Sequence, residues 1–248
     1  MFQKQTKYLY LVCQYKQIKN GDQSFSWIQN IVFGQMARTK QKRLLIVKDL
    51  PNVFFQESSD LKEKLQNFFR SKNLITIEIG CGHGDYSIEL AQIFPLRNFI
   101  GVDVKGARIF NGALKAIDQN LGNVAFLIAK AEKLNEIFQT KSVEEIYIPF
   151  SDPHVRRANQ NRRLISPDFL MIYKELLIDS GMIHFKTDNK GLYDYSLKAV
   201  KNFGCKILHS TDHLYENEDA QFPSNVITLF EKHYIKDGRR IKYICIKF

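Results

Sequence analysis

Apolar and polar positions follow two different periods along most of this chain. Short apolar runs predict buried β-strands, and longer segments with apolar residues three or four positions apart predict amphipathic helices. From residue 61 the two kinds of segment alternate, which is typical of βαβ units and of a mainly parallel sheet with helices on both faces. The pattern predicts strands at 74–79, 99–103, 124–128, 143–149, 182–186 and 241–248, and helices at 61–69, 85–94, 105–118, 131–138, 192–203 and 226–236.

Local turn chemistry refines these elements. Ser166 and Pro167 predict the start of a further helix, because serine favours the N-cap and proline the first helical position. Gly238 suits the position just past a helix C-cap, which ends the last predicted helix before the final strand. The closely spaced C-terminal strands allow an antiparallel edge on the parallel sheet.

The N-terminal part of the chain differs from the rest. Residues 1–35 are rich in Gln, Lys and Tyr and show no clear period, and Met36 to Arg43 form a short basic arm without an acid. We interpret residues 1–50 as an extension with a flexible basic arm, and residues 51–248 as one α/β domain. Met36 is a candidate start of the natural protein, so residues 1–35 could be an upstream extension.

Composition narrows the classes of partner. The 248 residues carry a formal net charge of +10, which favours nucleic acid or another polyanion. The longest early apolar run, Tyr8 to Cys13, is too short to span a bilayer or to form a secretory signal. The four scattered cysteines predict reduced thiols in a cytoplasmic protein, and the six histidines form no cluster that would predict a metal site.

A glycine loop between the first strand and its helix predicts a nucleotide-like cofactor. Gly80 and Gly82 allow a tight turn and close approach of a ligand, and Asp103 ends the next strand, where an acid can hold two ribose hydroxyls. This pair fits a dinucleotide or S-adenosylmethionine. The GxGxG spacing and Glu78 before the first glycine favour S-adenosylmethionine, because a carboxylate repels pyrophosphate and suits a cationic amino-acid end. Cys81 and His83 are interpreted as tolerated loop side chains.

A second loop follows the strand 143–149. Asp152 stands there before a proline, at the edge of an open α/β sheet where ligands bind. Arginines after a carboxylate predict a polyanionic substrate, and the alternative is a solvated basic loop. The arginines of this loop are Arg156, Arg157, Arg162 and Arg163.

Four motifs together resemble the bacterial tRNA (guanine-N7)-methyltransferases, over residues 36–248. The resemblance implies a class I methyltransferase fold, Rossmann-like, with a mostly parallel seven-stranded sheet and an antiparallel C-terminal edge strand. It also implies methyl transfer from S-adenosylmethionine to N7 of a guanine in the variable loop of tRNA. The motifs are Glu78-Ile79-Gly80-Cys81-Gly82, Phe150-Ser151-Asp152-Pro153, Phe185-Lys186-Thr187-Asp188 and Thr228-Leu229-Phe230-Glu231.

The chain departs from the family pattern at two places. Family members usually carry Phe-Pro-Asp-Pro-Trp, whereas this chain has Phe-Ser-Asp-Pro-His, which removes a stacking surface. Many members carry an acid after the third strand, beside the adenine. That position is Lys130 here, with Glu132 close by.

Roles follow from the resemblance together with the chemistry of the residues. Asp152 is expected to be catalytic and to contact the cofactor with Glu78, Gly80, Gly82 and Asp103. Asp188, Thr228, Glu231 and the four loop arginines are expected to bind substrate. Two alternatives stay open, a small-molecule methyltransferase and an inactive RNA-binding α/β module. The oligomeric state, monomer or homodimer, is also open.

Overall fold

The described residues, 40–69, 73–216 and 226–248, fold around one eight-stranded sheet in this computed structural model. Short 3-10 turns at Val47–Asp49, Ala131–Lys133 and Arg157–Arg162 join some of the elements. In chain order the elements are α1 (Lys40–Ile46), β1 (Val53–Phe55), α2 (Leu61–Phe68), β2 (Ile75–Ile79), α3 (Asp85–Ile93), β3 (Asn98–Asp103), α4 (Gly106–Asp118), β4 (Val124–Ile128), α5 (Leu134–Ile137), β5 (Val143–Pro149), α6 (Pro167–Leu176), β6 (Leu177–Thr187), α7 (Lys190–Phe203), β7 (Lys206–Thr211), α8 (Leu229–Lys236) and β8 (Lys242–Lys247).

The strand order is β1-β4-β3-β2-β5-β6-β8-β7. Strands β1 to β6 pair in parallel, and β8 runs antiparallel to both β6 and β7. The predicted α/β class and mostly parallel sheet are therefore confirmed. The sheet has one strand more than expected, and the antiparallel strand lies one place in from the edge. Strand β1 is too short to show a period, and the edge strand β7 has one exposed face and no continuous apolar run.

Two hydrophobic layers cover the sheet. Helices α1, α3 and α4 pack on one face, and α2, α5, α6 and α7 pack on the other. The central strands are buried on both faces, which is why they read as apolar runs and not as alternating patterns. The layers therefore hold the strand ends at fixed positions.

The beginning of the described chain belongs to this body. Helix α1 starts at Lys40, and Ile46, Val47 and Leu50 are buried in the core cluster that contains α4. The predicted flexible arm is therefore wrong from Lys40 onward, because these apolar side chains pack against α4. The extension over residues 1–35 and the first part of the basic arm lie outside the described residues.

Helix α6 begins as predicted, but its cap differs. Ser166 is the N-cap and Pro167 the first helical residue, yet the Ser166 hydroxyl donates to the Asn161 carbonyl (3.0 Å) and not to the helix end. The last helix begins later than predicted, at Leu229, and Gly238 follows its C-cap with a positive φ of 72°.

The topology places a crevice beside β2. Its neighbours are β3 and β5. The chain therefore adds β3 and β4 on one side of β2 and then crosses over to add β5 and β6 on the other side. Open α/β sheets bind ligands outside the carboxyl ends of the strands at such a switch point. The glycine loop after β2 and the Asp152 loop after β5 both leave the sheet there.

The glycine loop packs closely on its surroundings. A Cβ added to Gly84 would lie 2.2 Å from the Phe126 ring, at a positive φ of 69°. A Cβ added to Gly112 would lie 1.9 Å from the carbonyl oxygen of His83, so α4 touches the loop through a bare backbone. The absence of a side chain at Gly112 thus fixes how near the loop lies to α4.

We predict that Gly112→Ala destabilises the protein by about 1–3 kcal/mol, as over-packed sites do. Alanine in a helix interior is otherwise about 1 kcal/mol more favourable than glycine, so a loss identifies the clash with His83. Urea unfolding measures the change. Gly122→Ala is the control, because its Cβ would meet no atom within 4 Å. A Gly112→Ala protein as stable as the parent would show that the loop yields freely.

Candidate active site

A cavity of about 310 Å³ lies at the switch point. The glycine loop after β2 supplies one wall, and the end of β5 with helix α8 supplies the other. The lining residues are Glu78, Gly80, Cys81, Gly82, His83, Asp85, Arg108, Pro149, Phe150, Thr228 and Tyr234. The cavity therefore combines carboxylates, bare backbone and aromatic rings in one enclosure.

Two backbone hydrogen bonds hold Asp103 beside the glycine loop. Its Oδ2 accepts from the Gly82 amide (3.0 Å), its Oδ1 accepts from the Lys105 amide (2.7 Å), and it is buried. A carboxylate has about four lone-pair sites, so the two oxygens can still accept from ribose hydroxyls. Gly82 has a positive φ of 58°, and a Cβ there would point into open space. This arrangement supports the sequence-based assignment of Gly82 and Asp103.

Glu78 lies at the bottom of the same site. It is buried, and its Oε2 accepts from the Ser87 amide (2.9 Å) and the Ser87 hydroxyl (2.5 Å). Burial, together with the smaller effect of the Asp85 and Asp103 charges, raises the pKa of Glu78 to about 8 against the lowering effect of Ser87. A cationic ligand group beside Glu78 would therefore favour the ionised carboxylate.

The position at which the family pattern has an acid beside the adenine is occupied by an exposed lysine. Lys130 is exposed at the end of β4, and its backbone amide donates to the Gln56 side chain (2.9 Å). Glu132 is also exposed. Val104, directly after Asp103, is 58% exposed and offers an apolar surface that the sequence analysis did not single out.

Asp152 follows the lining residue Phe150 by two positions and does not itself line the cavity. The backbone turns at Phe150 and His154, which have positive φ values of 52° and 40°. The Phe150 ring lines the cavity, whereas the Asp152 side chain is 73% exposed and accepts from the His154 amide (2.9 Å). The structure thus leaves Asp152 open to a substrate arriving from solvent and does not place it among the residues that line the cavity.

The arginines of this loop divide into two kinds. Arg156 and Arg162 are exposed, and nothing is described of the Arg157 side chain. Arg163 is buried: its Nε donates to the Pro153 carbonyl (2.9 Å), its Nη2 to the His154 carbonyl (3.2 Å), and its guanidinium lies 4.2 Å from the Tyr195 ring centre. The expected phosphate contact is therefore corrected for Arg163, whose donors instead hold the backbone around Asp152.

Asp188 forms an ion pair with Arg239, a residue that the sequence did not indicate and that packs on the cavity-lining Tyr234. Its Oδ2 accepts from Arg239 Nη1 (2.8 Å), and the Arg239 guanidinium lies 4.7 Å from the Tyr234 ring centre. The Tyr234 ring packs on Phe150, with centroids 5.3 Å apart. Asn189, not Asp188, caps α7, since it accepts from the Leu192 amide (2.8 Å). The Asp188 carboxylate is thus held by a side chain and not by the helix end.

Thr228 and Glu231 form a capping box at the start of α8. Thr228 accepts from the Glu231 amide (3.2 Å), and Glu231 accepts from the Thr228 amide (3.3 Å). Thr228 also lines the cavity. Glu231 is fully buried and accepts from Lys186 Nζ (3.2 Å) and from the Tyr215 hydroxyl. It is therefore neither a surface helix acid nor a lining residue of the cavity.

Lys186 and Tyr215 are the partners that sequence reasoning missed. Lys186 is buried within β6, where burial lowers its pKa and Glu231 opposes that effect. Its ammonium lies 5.2 Å from the Tyr86 ring centre. A lysine inside an apolar strand is a recognisable signal of a buried ion pair, but its partner lies 45 residues away along the chain.

Two further properties bear on the class of site. Among the described residues, no helix is long and apolar enough to cross a membrane. Within the same ranges, no three His, Cys, Asp or Glu side chains are grouped so that they could hold a metal ion.

Comparison with known proteins gives consistent similarities. A family model described as "Putative methyltransferase" matches residues 72–244. A tRNA (guanine-N(7)-)-methyltransferase of Christiangramia forsetii is 38% identical over 198 residues, covering 79% of this chain and 86% of that protein. One of Cytophaga hutchinsonii is 34% identical over 218 residues, covering 86% of this chain and 99% of that protein.

Solved structures share the fold at low sequence identity. A 16S rRNA methyltransferase, KamB, has a TM-score of 0.59 and 15% identity, covering 78% of this chain and 95% of that chain. An antibiotic-related methyltransferase has a TM-score of 0.58 and 19% identity, covering 77% of this chain and 96% of that chain. These similarities support the methyltransferase fold independently of the motifs.

We predict that Glu78→Gln stabilises the protein increasingly as pH rises. Below the ordinary pKa of 4.5 the carboxyl group is protonated in both states, whereas between 4.5 and about 8 it ionises only in the unfolded state. The unfolded state then binds fewer protons, so the stability of the parent falls with rising pH. The advantage of the variant should grow by on the order of 4 kcal/mol across that range.

Urea unfolding at several pH values between 5 and 8 measures this difference. Glu63→Gln is the control, because Glu63 is exposed on α2. A constant stability difference between Glu78→Gln and the parent would show that Glu78 does not titrate in this window.

Proposed function

Because the chain belongs to the family of S-adenosylmethionine-dependent tRNA (guanine-N(7)-)-methyltransferases, we propose that it methylates N7 of a guanine in the variable loop of tRNA. The family resemblance of the four sequence motifs is thereby confirmed. One observation carries the proposal: the cavity with Glu78 and the glycine loop is also lined by Phe150, and the loop that continues from Phe150 carries the exposed carboxylate of Asp152 and the exposed Arg156 and Arg162.

The residues at the cavity fit S-adenosylmethionine, which supplies an electrophilic methyl group on a sulfonium. Asp103 would accept from the ribose hydroxyls, and the backbone of Gly80 and Gly82 would lie against the ligand without side chains between. Glu78 would hold the cationic amino group, since its buried carboxylate faces a cavity with no cationic partner within salt-bridge distance among the described residues. A pyrophosphate would gain no attraction from a protonated Glu78 and would be repelled by an ionised one, which disfavours NAD.

The reaction requires positioning more than proton transfer. Guanine N7 carries an in-plane lone pair and no proton, so no general base is needed to create the nucleophile. Alignment of N7 with the methyl group can lower the barrier by about 7–11 kcal/mol. The purine ring becomes cationic as the bond forms, and a carboxylate beside it gains attraction at that moment.

Asp152 is proposed for that carboxylate, acting on guanine NH groups or on the developing charge. Its exposure and its position two residues after the lining residue Phe150 suit a base that enters from solvent. Asp188 is proposed to hold the substrate on the neighbouring strand, oriented by Arg239. Thr228, on the cavity wall, completes the proposed guanine contacts, and Glu231 would contribute by fixing Thr228.

RNA recognition is proposed for the exposed arginines of the Asp152 loop. Arg156 and Arg162 project to solvent and can contact phosphates, whereas Arg163 is proposed to keep the loop in place. An unpaired base must be splayed from its neighbours to reach a recessed site. The reaction is proposed to take place in the cytoplasm, consistent with free thiols at Cys81, Cys205 and Cys245.

The alternatives make different demands on these residues. A small-molecule methyltransferase would keep the cavity but has no use for exposed arginines beside Asp152. An inactive RNA-binding module would not need Glu78 and Asp103 arranged around a glycine loop. The family relationship and the geometry of both loops favour the RNA-modifying enzyme.

Mass spectrometry of nucleosides from tRNA incubated with the protein and S-adenosylmethionine tests the function and the role of Asp152 together. The parent should produce 7-methylguanosine in the variable loop. Asp152→Ala should lower the rate constant by about 100- to 1000-fold, the loss typical of one charge-stabilising group. Its affinity for S-adenosylhomocysteine should change little, because Asp152 does not line the cavity.

Asp179→Ala is the matched control, since Asp179 is 94% exposed at the opposite end of β6. Absence of 7-methylguanosine from the parent reaction would reject the function. Activity of Asp152→Ala within about threefold of the parent would remove only the catalytic role.

The two kinds of arginine give opposite expectations. Replacing Arg156 and Arg162 with glutamine should lower the magnitude of the slope of log affinity against log salt by about 1.5. Each lost phosphate contact accounts for about 0.7–0.9 of that change. Arg163→Gln should keep the salt slope and lower the turnover, because its donors hold Pro153 and His154. Fluorescence titration of tRNA over a range of salt concentrations measures the slopes. A slope change for Arg163→Gln equal to that of an exposed arginine would refute its role as an anchor.

A further inference from the structure

Helix α8 has two faces with different surroundings. Thr228, its N-cap, and Tyr234 line the cavity, and Glu231 is buried on Lys186. These residues fix the helix on the domain from the inside. The outer face is therefore held in a defined position relative to the cavity.

The outer face of α8 and the following turn is basic. Lys232 and Lys236 are four residues apart and so share a side of the helix, and Arg240 follows after the turn at Gly238. All three cations are exposed, and no ion pair among the described residues includes them. The nearby acids are Asp237 on the turn and Glu89 of α3, whose pKa is raised by burial while Lys232 opposes that rise. Three cations and two carboxylates thus leave this face with a net positive charge.

This face lies beside the Asp152 loop, because the end of β5 and helix α8 form the same wall of the cavity, where Phe150 packs on Tyr234. The sheet order β5-β6-β8 places the end of β5, Asp188 after β6, and the start of β8 side by side. Neighbouring strands are about 4.8 Å apart, so the β5 and β8 positions are separated by about 10 Å. Exposed arginines leave the sheet after β5, and Arg240 enters it before β8, with the proposed substrate residue Asp188 between them.

We propose that Lys232, Lys236 and Arg240 bind the phosphate backbone of RNA, beside the Asp152 loop. The RNA then contacts two neighbouring phosphate-binding surfaces on one wall of the cavity, with Asp188 between them, and the target base enters the cavity beside these surfaces. Flexible ammonium groups and one guanidinium on an exposed helix face suit sequence-independent phosphate contacts. The inference rests on the proposed function for the identity of the RNA.

The test compares Lys232→Gln/Lys236→Gln/Arg240→Gln with the parent, using a tRNA transcript with a guanine in its variable loop. Three lost phosphate contacts should lower the magnitude of the slope of log affinity against log salt by about 2. The KM for tRNA should rise, and the affinity for S-adenosylhomocysteine should stay unchanged, because none of the three side chains lines the cavity. Each single substitution is measured as well, together with thermal unfolding, so that a folding defect is recognised.

The matched control is Lys174→Gln/Lys198→Gln/Lys201→Gln, which removes the same charge from exposed positions on α6 and α7. An unchanged slope for the α8 variant overturns the proposal, as does an equal loss in the control. If the parent binds tRNA but does not methylate it, the proposed function fails, and the slopes still decide whether this face contacts phosphate.

Discussion

The carboxyl ends of neighbouring strands meet at one edge of the sheet, and the site depends on this constraint. The turn after β2 holds the glycine loop, β3 ends at Asp103, and the loop after β5 carries Asp152. The two hydrophobic layers fix these ends, so groups far apart in the chain lie within a few strand spacings of each other. Close contact between Gly112 and the carbonyl of His83 then sets the position of the loop itself.

Buried ionisable side chains are the second feature of the site. Glu78 has little water around it, and its carboxylate becomes favourable when a cation lies beside it. The Lys186–Glu231 pair is also buried, and such pairs contribute little net stability compared with apolar packing. Removing one partner nevertheless leaves an uncompensated charge, at a cost of about 3–5 kcal/mol. The pair therefore specifies where α8 lies on the cavity more than it stabilises the fold.

Arginines of the same chemistry have different roles because their positions differ. Arg163 and Arg239 turn toward the protein, where planar guanidinium groups bind carbonyls or a carboxylate and stack on tyrosines. Arg156 and Arg162 face solvent. Inward-facing arginines thus hold the surroundings of the carboxylates Asp152 and Asp188 in place, and the outward-facing arginines are the ones proposed to contact RNA.

The sequence by itself determined the α/β class, the central strands and the glycine loop, because these depend on local period and turn chemistry. It also placed Asp103 and Asp152 near strand ends, since Asp103 ends one apolar run and Asp152 stands shortly after another. It did not show β1 as a strand or the position of β8 between β6 and β7, because strand pairing is a long-range choice. The burial of Arg163 and the Lys186–Glu231 and Asp188–Arg239 pairs were decided only by the tertiary structure. Whether a charged side chain faces solvent or a buried partner depends on segments that pack against it from far along the chain.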